Sequence, residues 1–306
     1  MKPIYLLLFL MMVTLTVKAQ NKMDNTYFTW DDFVEGFGKE MVSAEDVYGN
    51  MVDNGLKDNA LLPVDFTFIS DSKENLEALS TFITEHYPYK IQGIKQFEDI
   101  WELNGVTNEL PVTSNNLLYW MLDMYKRGYE FDAYLDAYGA FNDAKNQHFP
   151  DLDKKNESIY FDKGLECYNE GNLSGAIINW SLALTINPQD VDAYYSRAIV
   201  KEELYTWKAA LADYDKALEI APDFISALLN RGALKDEHDD YKGAIEDYDK
   251  ALQTGKADEE EEQLIYFNRG NSKYNLKDLT GACEDWKTAY KLGADYAKEK
   301  LDKYCK

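Results

Sequence analysis

Cysteine, histidine and basic residues are scarce in this chain of 306 residues. It holds three cysteines, three histidines, and 32 lysine and arginine residues against 55 aspartate and glutamate residues. Three cysteines are too few for a disulfide-stapled fold, and an odd count leaves at least one unpaired. The formal net charge of -23 repels phosphate backbones and anionic lipid headgroups. Nucleic acid and membrane surfaces are therefore poor candidate ligands, and basic or neutral proteins and peptides are better ones.

The sequence also lacks the motifs that mark common catalytic and cofactor sites. His86, His148 and His238 do not stand at metal-ligand spacing from one another or from a cysteine. No glycine-rich phosphate loop, nucleophile elbow or HExxH pattern occurs. A paired acid and base cannot be selected from 55 carboxylates by sequence. We therefore predict no catalytic residue, no metal and no cofactor.

The N-terminus is predicted to be a secretory signal peptide, residues 1–19. Lys2 precedes an apolar run over residues 6–17, and residues 17–19 are small enough for cleavage before Gln20. The run is shorter than the about 20 apolar residues that span a bilayer, and an uncleaved membrane anchor is the alternative. No other segment reaches membrane length, so we expect a soluble mature chain that is exported, periplasmic or secreted.

An internal repeat occupies the second half of the chain, with intervals of 34, 34 and 38 residues. The residue types fit a pair of antiparallel helices in each repeat. Small residues at the recurring positions would let the two helices approach closely, and aromatic residues would fill the space between them further along. The extra four residues of the last interval fall in residues 256–262, which we predict to be an acidic loop. The repeat columns are Gly164, Ala198, Gly232 and Gly270; Ala176, Ala210, Ala244 and Ala282; Trp180, Tyr214, Tyr248 and Trp286; and Ala183, Ala217, Ala251 and Ala289.

In these columns and this spacing the second half resembles the tetratricopeptide repeat (TPR) family. The resemblance implies an all-α solenoid of helical hairpins that forms a short right-handed superhelix. Residues 294–306 have apolar positions at helical spacing and are predicted to be the capping helix that such an array needs. The four predicted repeats are residues 157–190, 191–224, 225–258 and 263–293.

Two charged columns and two cysteines are predicted to stabilise the repeats. An arginine column precedes an aspartate column by sixteen residues, so the two face each other across each hairpin. We predict a structural ladder of three pairs: Arg197 with Asp213, Arg231 with Asp247, and Arg269 with Asp285. Cys283 and Cys305 would lie on consecutive antiparallel helices, close enough for a disulfide, with free thiols as the alternative.

The TPR resemblance also implies where a partner would bind, because the first helix of each hairpin generally lines the concave surface. The residues expected there are Phe161, Leu165, Tyr168, Tyr195, Ile199, Glu202, Leu229, Asp236, Phe267, Asn271 and Tyr274. They would suit a basic or neutral peptide with apolar anchors, because the basic residues of carboxylate-clamp members are missing. The alternative is that several of these side chains pack only on their own neighbours.

Residues 25–142 are predicted to be an α+β domain. The order strand, helix, strand, strand, helix, strand suggests a ferredoxin-like sandwich. The second helix of this order is expected to end at Gly128. This region resembles the RraB-like family, the ribonuclease E inhibitor type, in residues 63–68 and in the helix-then-strand run over residues 115–140. Residues 143–156 are predicted to be the linker to the repeats.

Three functional interpretations follow from the sequence. The first is an exported, non-catalytic scaffold whose repeats bind a peptide or a partner protein. The second is an RraB-like regulator of a ribonuclease, which requires that the N-terminus is not an export signal. The third is an enzyme with its site in the N-terminal domain, which a cleft of convergent carboxylates with raised pKa values would favour.

Overall fold

The computed structural model describes residues 25–141, 143–152, 156 and 158–305. The chain divides into two compact units, one ending at Asn187 and the other beginning at Pro188. The predicted signal peptide and part of the predicted linker lie outside the described residues. Within the described ranges, no helix combines the length and the apolar character that crossing a membrane demands. Because the first unit ends at Asn187, both helices of the first predicted repeat belong to the same unit as the α+β domain.

The first unit opens with a long helix, α1 (Trp30–Asp53), and continues as an α+β domain. Thr29 and Asp32 form a capping box that satisfies backbone N–H groups at the start of α1. The following elements are β1 (Ala60–Leu62), β2 (Asp65–Ser70), α2 (Lys73–His86), β3 (Lys90–Phe97), β4 (Ile100–Val106), β5 (Leu110–Val112), α3 (Ser114–Glu130) and β6 (Tyr134–Gly139).

Four of these strands form one antiparallel sheet in the order β3-β4-β2-β6. The predicted sequence of strand, helix, strand, strand, helix, strand corresponds to β2, α2, β3, β4, α3 and β6. Strands β1 and β5 pair with each other in a separate antiparallel sheet. The sequence does not indicate this pair, because three residues are too few to show an alternating pattern.

The C-terminal end of helix α3 differs from its prediction. The helix does not stop at Gly128 but continues to Glu130. A Cβ at Gly128 would lie 2.5 Å from the carbonyl oxygen of Ala133, so glycine is needed there for close approach of the chain. The residue with positive φ that follows the helix is Asp132. Glycine is therefore required at position 128 for close packing, and it does not end the helix.

Eight helices after residue 157 form four hairpins, and one shorter helix follows them in the described residues. The last helix, α12 (Ala297–Tyr304), packs against the second helix of the fourth hairpin. The first hairpin lies in the first unit and the other three in the second unit. The hairpins pair α4 (Ser158–Asn169) with α5 (Leu173–Ile186), α6 (Val191–Glu203) with α7 (Trp207–Ile220), α8 (Ile225–Glu237) with α9 (Tyr241–Gln253), and α10 (Glu259–Asn275) with α11 (Leu279–Lys291).

The small residues of the repeat columns lie where paired helices come closest. The eight alanines of the two alanine columns are all fully buried. A Cβ on Gly232 of α8 would lie 2.6 Å from Cε1 of Tyr248 on α9. The ring of Tyr248 is itself fully buried, so it has little room to move away. The absence of a side chain at Gly232 therefore lets the two helices pack at this distance.

The prediction of an acidic loop over residues 256–262 is wrong for Glu259 to Glu262. These residues form the first turn of α10, which is four residues longer at its start than α6 and α8. Asp258 and Glu261 form a capping box there. Negative side chains are stabilising at a helix N-terminus, because the unpaired N–H groups carry partial positive charge. The acidic residues predicted to be a solvated loop therefore form the first turn of a helix.

A buried polar network joins the α+β domain to the first hairpin. Asp123 of α3 is fully buried and accepts hydrogen bonds from the Ser174 backbone N–H and hydroxyl, both at 2.8 Å. The Tyr87 hydroxyl donates to the same carboxylate at 3.0 Å. Arg127 donates to the carbonyl of Gly171 at 2.8 Å, in the turn between α4 and α5. These bonds explain why the first hairpin forms one compact unit with the preceding domain.

Candidate partner-binding site

The structure brings together all three arginine–aspartate pairs of the predicted ladder. Each arginine donates through Nε and Nη2 to the two oxygens of its aspartate. Lys201, Lys235 and Lys273, each four residues after an arginine, add a second cation to each aspartate at 2.7–2.8 Å. The aspartates are buried, and each carboxylate is paired with two cations of its own hairpin. We therefore interpret the ladder as structural and not as part of a ligand-binding site.

The ladder also connects successive hairpins within the second unit. Arg231 donates through Nη1 to Asp215 at 2.6 Å, and Arg269 donates through Nη1 to Asp249. Asp215 and Asp249 lie on the second helix of the preceding hairpin. Each of these arginines therefore contacts one carboxylate in its own hairpin and one in the hairpin before it. The sequence prediction did not include this second contact.

Four of the eleven residues expected in the groove are buried: Tyr168, Tyr195, Ile199 and Leu229. The Tyr195 ring lies 6.0 Å from that of Tyr214 and 4.9 Å from that of Phe224. The Tyr195 hydroxyl accepts a hydrogen bond from Asn230 at 2.9 Å. Side chains held in this way form the core between helices. We therefore remove these four residues from the partner-binding surface.

The other seven groove residues are partly exposed: Phe161, Leu165, Glu202, Asp236, Phe267, Asn271 and Tyr274. Two of the aromatic residues contact the end of the chain, with Phe267 4.8 Å from Tyr296 and Tyr274 4.6 Å from Tyr304 between ring centroids. The interpretation that such residues pack on their own neighbours thus applies in part to the fourth repeat. Glu202 and Asp236 remain the charged members of the set.

Glu202 and Asp236 occupy equivalent positions of the second and third repeats and bind hydroxyl donors. The Tyr214 hydroxyl donates to Glu202. The Tyr248 hydroxyl donates to Asp236 at 3.0 Å, and the Ser272 hydroxyl donates to it at 2.7 Å. None of the ion pairs among the described residues includes either carboxylate. This arrangement differs from the ladder, where every aspartate has cationic partners.

The pKa values of these two carboxyl groups are raised mainly by burial. For Glu202, burial and then the nearby charge of Glu237 raise the pKa to about 8, and the bond from Tyr214 opposes the shift. For Asp236, burial raises the pKa to about 6 against the bonds from Ser272 and Tyr248. Burial also raises the pKa of Glu237. Desolvation disfavours the charged form of an acid, and a cation beside it would favour that form.

We expect Glu202→Gln to remove a pH-dependent loss of stability. Folding raises the pKa of Glu202 from 4.5 to about 8, so the folded state binds more protons than the unfolded state within that window. The free energy of unfolding should therefore fall as the pH rises from about 4.5 to about 8. The neutral amide escapes this loss, so urea unfolding should show the variant more stable than the native chain above about pH 8 and similar below about pH 5.

A matched control for this measurement is Glu246→Gln, which removes an exposed carboxylate from α9. Its unfolding free energy should follow that of the native chain across the whole pH range, because substitutions of exposed side chains change stability little. If the difference between the Glu202 variant and the native chain does not change with pH, Glu202 is not held in the raised-pKa environment described above.

One disulfide closes the C-terminal end of the second unit. Cys283 of α11 is bonded to Cys305, which follows α12, with a Cα–Cα distance of 5.7 Å. Cys167 of the first hairpin is free, and burial raises the pKa of its thiol to about 11. A thiol of that kind is mostly protonated at neutral pH and a poor nucleophile.

The three histidines lie in separate environments. His86 contacts the carbonyl of Glu170 within the first unit, and the ring of His238 stacks on that of Trp207 at 4.1 Å. The backbone carbonyl of His148 accepts a hydrogen bond from Leu61. Across the described residues, no group of three or more histidine, cysteine, aspartate or glutamate side chains is arranged to hold a metal ion.

Comparison with known proteins gives partial structural matches. No protein-family model matches the chain. No curated protein matches it in sequence. Pseudomonas aeruginosa PilF is 25% identical over 45% of this chain and 62% of PilF, with a TM-score of 0.41, so the match spans less than two thirds of that protein. A tetratricopeptide repeat protein from Parabacteroides merdae is 19% identical over 46% of this chain and 55% of that one, with a TM-score of 0.42.

A third match is the first TPR of Spaghetti (RPAP3), solved with the HSP90 peptide SRMEEVD. It is 18% identical over 41% of this chain and 99% of that one, with a TM-score of 0.37. Each of the three matches covers less than half of this chain. Over part of its length, the chain is similar to solved structures named as tetratricopeptide repeat proteins.

Proposed function

We propose that this chain is an exported, non-catalytic scaffold whose repeats bind a basic or neutral segment of a partner protein. The observation that carries the proposal is the pair of partly buried carboxylates, Glu202 and Asp236, that bind only hydroxyl donors among the described residues. Their equivalent positions on α6 and α8 would present two acceptors to one extended segment.

The energetics favour a cationic group at these positions. A lysine, arginine or amino-terminal ammonium beside Glu202 would favour the ionised carboxylate and offset its desolvation. The formal net charge of -23 would also speed the approach of a basic partner and discourage an acidic one. Phe267 and Tyr274 of the fourth hairpin are partly exposed and would offer apolar contacts within the same unit.

We also propose that the α+β domain is a ferredoxin-like, RraB-like module that contributes a second protein-binding surface. The support is its antiparallel sheet order together with the element order described above. Export is supported by the N-terminal apolar run and by the disulfide, because disulfides persist in oxidising compartments. A cytoplasmic ribonuclease regulator is the alternative, and sequencing the N-terminus of the protein from fractionated cells would distinguish the two.

The binding proposal is tested with a peptide library displayed on phage and selected on the full mature chain. We expect selected sequences to be enriched in lysine and arginine over the unselected library. A synthetic copy of the most enriched peptide should then bind the double variant Glu202→Gln/Asp236→Asn about 10-fold or more weakly, measured by fluorescence polarisation.

The control removes the same charge elsewhere in the second unit. Glu246→Gln/Glu284→Gln changes two exposed carboxylates on the second helices α9 and α11. Its affinity for the peptide should stay within about 2-fold of the native value, apart from a small change in salt dependence. Equal losses in both double variants would mean that net charge binds the peptide, and no loss in either would place the site elsewhere.

A further inference from the structure

A cavity of about 380 Å³ opens in the α+β domain, away from any repeat residue. Aromatic residues supply much of its lining: Tyr27 and Tyr134 are partly exposed, whereas Phe28 and Tyr125 are buried. Pockets for small molecules in proteins occupy roughly 300–1,000 Å³. This cavity therefore has room for a small ligand or for a single side chain of another protein.

Hydrogen bonds and close packing hold the walls in place. The backbone N–H of Phe28 donates to Asp132 at 2.7 Å, which fixes the segment before α1. The Tyr125 hydroxyl donates to the carbonyl of Phe33 on α1 at 3.3 Å. A Cβ on Gly36 would lie 2.2 Å from that hydroxyl, so glycine admits the phenol against the helix. The cavity is thus built by the fold and does not result from a loose loop.

The charged lining is mostly acidic. Asp32 accepts hydrogen bonds from Thr29 in the capping box, and Glu35 pairs with Lys39 at 3.0 Å in an exposed ion pair. Glu40 differs from both, because it is partly buried and its Oε1 accepts a hydrogen bond from the Tyr134 hydroxyl at 2.9 Å. No cation among the described residues forms an ion pair with Glu40. One carboxylate oxygen of Glu40 already has a donor, and the other can accept from a ligand.

We propose that this cavity binds an alkylammonium group, with Glu40 pairing the cation and the partly exposed rings of Tyr27 and Tyr134 contacting its carbon atoms. Aromatic residues beside a carboxylate recognise such a group in two ways. The carboxylate forms an ion pair with the ammonium, and the negative faces of the rings attract the same cation. The methylene or methyl groups of the ligand gain from burial against the same rings. The site lies outside the repeats, so it does not rest on the function proposed for them.

The same chemistry could come from a free quaternary ammonium compound or from the lysine side chain of a protein. Isothermal titration calorimetry of the full mature chain with choline and with n-butylammonium tests both sources. The control ligand is the neutral isostere of choline, in which a carbon atom replaces the charged nitrogen, so that it differs from choline only in charge. We expect at least one ammonium probe to bind about 10-fold or more tightly than the neutral isostere. Tighter binding of choline would indicate a quaternary ligand, and tighter binding of n-butylammonium would indicate a lysine side chain.

Two variants assign the binding to this cavity. Glu40→Gln should weaken ammonium binding about 10-fold or more, whereas Glu45→Gln, which removes an exposed carboxylate of α1 that does not line the cavity, should change it less than about 2-fold. Circular dichroism shows whether each variant is folded, and Tyr27→Ala, which removes a wall residue without touching Glu40, should also weaken binding. The proposal is overturned if neither ammonium probe binds, if the neutral isostere binds equally well, or if folded Glu40→Gln binds as the native chain does.

Discussion

Asp123→Ala is expected to lower the free energy of unfolding of the first unit by about 3–5 kcal/mol. The native carboxylate accepts hydrogen bonds from Tyr87 and from both donors of Ser174, and Arg127 lies 3.3 Å away. Alanine would leave the Ser174 backbone N–H unsatisfied and the two hydroxyls with only their longer bonds, to Gly171 and Asn172. Glu130 would be the remaining acidic partner of Arg127. The loss should appear in urea unfolding followed by tryptophan fluorescence.

Hydrogen exchange measured by mass spectrometry would locate this effect. We expect faster exchange in α3 and also in the amides of α4 and α5, because Asp123 connects these elements. The amides of the three hairpins after Pro188 should keep their native rates. Asp46→Ala, an exposed change on α1, is the control and should shift stability by less than about 0.5 kcal/mol. Unchanged exchange in α4 and α5 would mean that the first hairpin does not depend on the network.

Trp286→Ala is expected to lower the stability of the second unit by about 3–5 kcal/mol, the range found when a buried tryptophan is truncated. Trp286 is fully buried on α11, and its ring lies 5.8 Å from that of Tyr274 and 6.0 Å from that of Tyr304. Its indole N–H donates to Asn271 at 3.2 Å. Truncation would open a cavity in the fourth hairpin and remove the surface on which the last helix packs. Thermal unfolding followed by far-UV circular dichroism measures the loss.

Trp207→Ala is the matched control for Trp286. Trp207 is a partly exposed tryptophan in the same unit, at the start of α7, and its ring stacks on His238. Losing this contact should cost about 1 kcal/mol, because part of the ring is already in water. A loss as large as that of Trp286→Ala would contradict the assignment of Trp286 to the core of the fourth hairpin.

The repeat architecture could be predicted because its cause is local and periodic. Small residues recur where paired helices touch, and the arginine and aspartate columns recur with them, so one alignment of the chain with itself places both. The lysine four residues after each arginine was equally visible, since residues i and i+4 share a helix face. Residues 259–262 misled the prediction, because an acidic solvated loop and an acidic helix start have the same composition.

The parts that the sequence could not indicate depend on contacts between distant segments. Nothing near Asp123 shows that it will bind Ser174, fifty-one residues later, so the association of the first hairpin with the α+β domain had no local signal. Tyr195 and Glu202 lie on the same helix, yet neighbouring helices bury one and leave the other partly exposed. A column of first-helix residues therefore predicts a candidate surface, and only packing separates its core members from its accessible ones.

The most direct test of the proposed function is to titrate the side-chain carboxyl groups of Glu202 and Asp236 by carbon-13 NMR, with and without a selected basic peptide. Without peptide, we expect apparent pKa values of about 8 and about 6. A bound cation favours the ionised form, so both values should fall when the peptide is present. Peptide binding that leaves both titration curves unchanged would contradict the assignment of these two carboxylates to the partner-binding site.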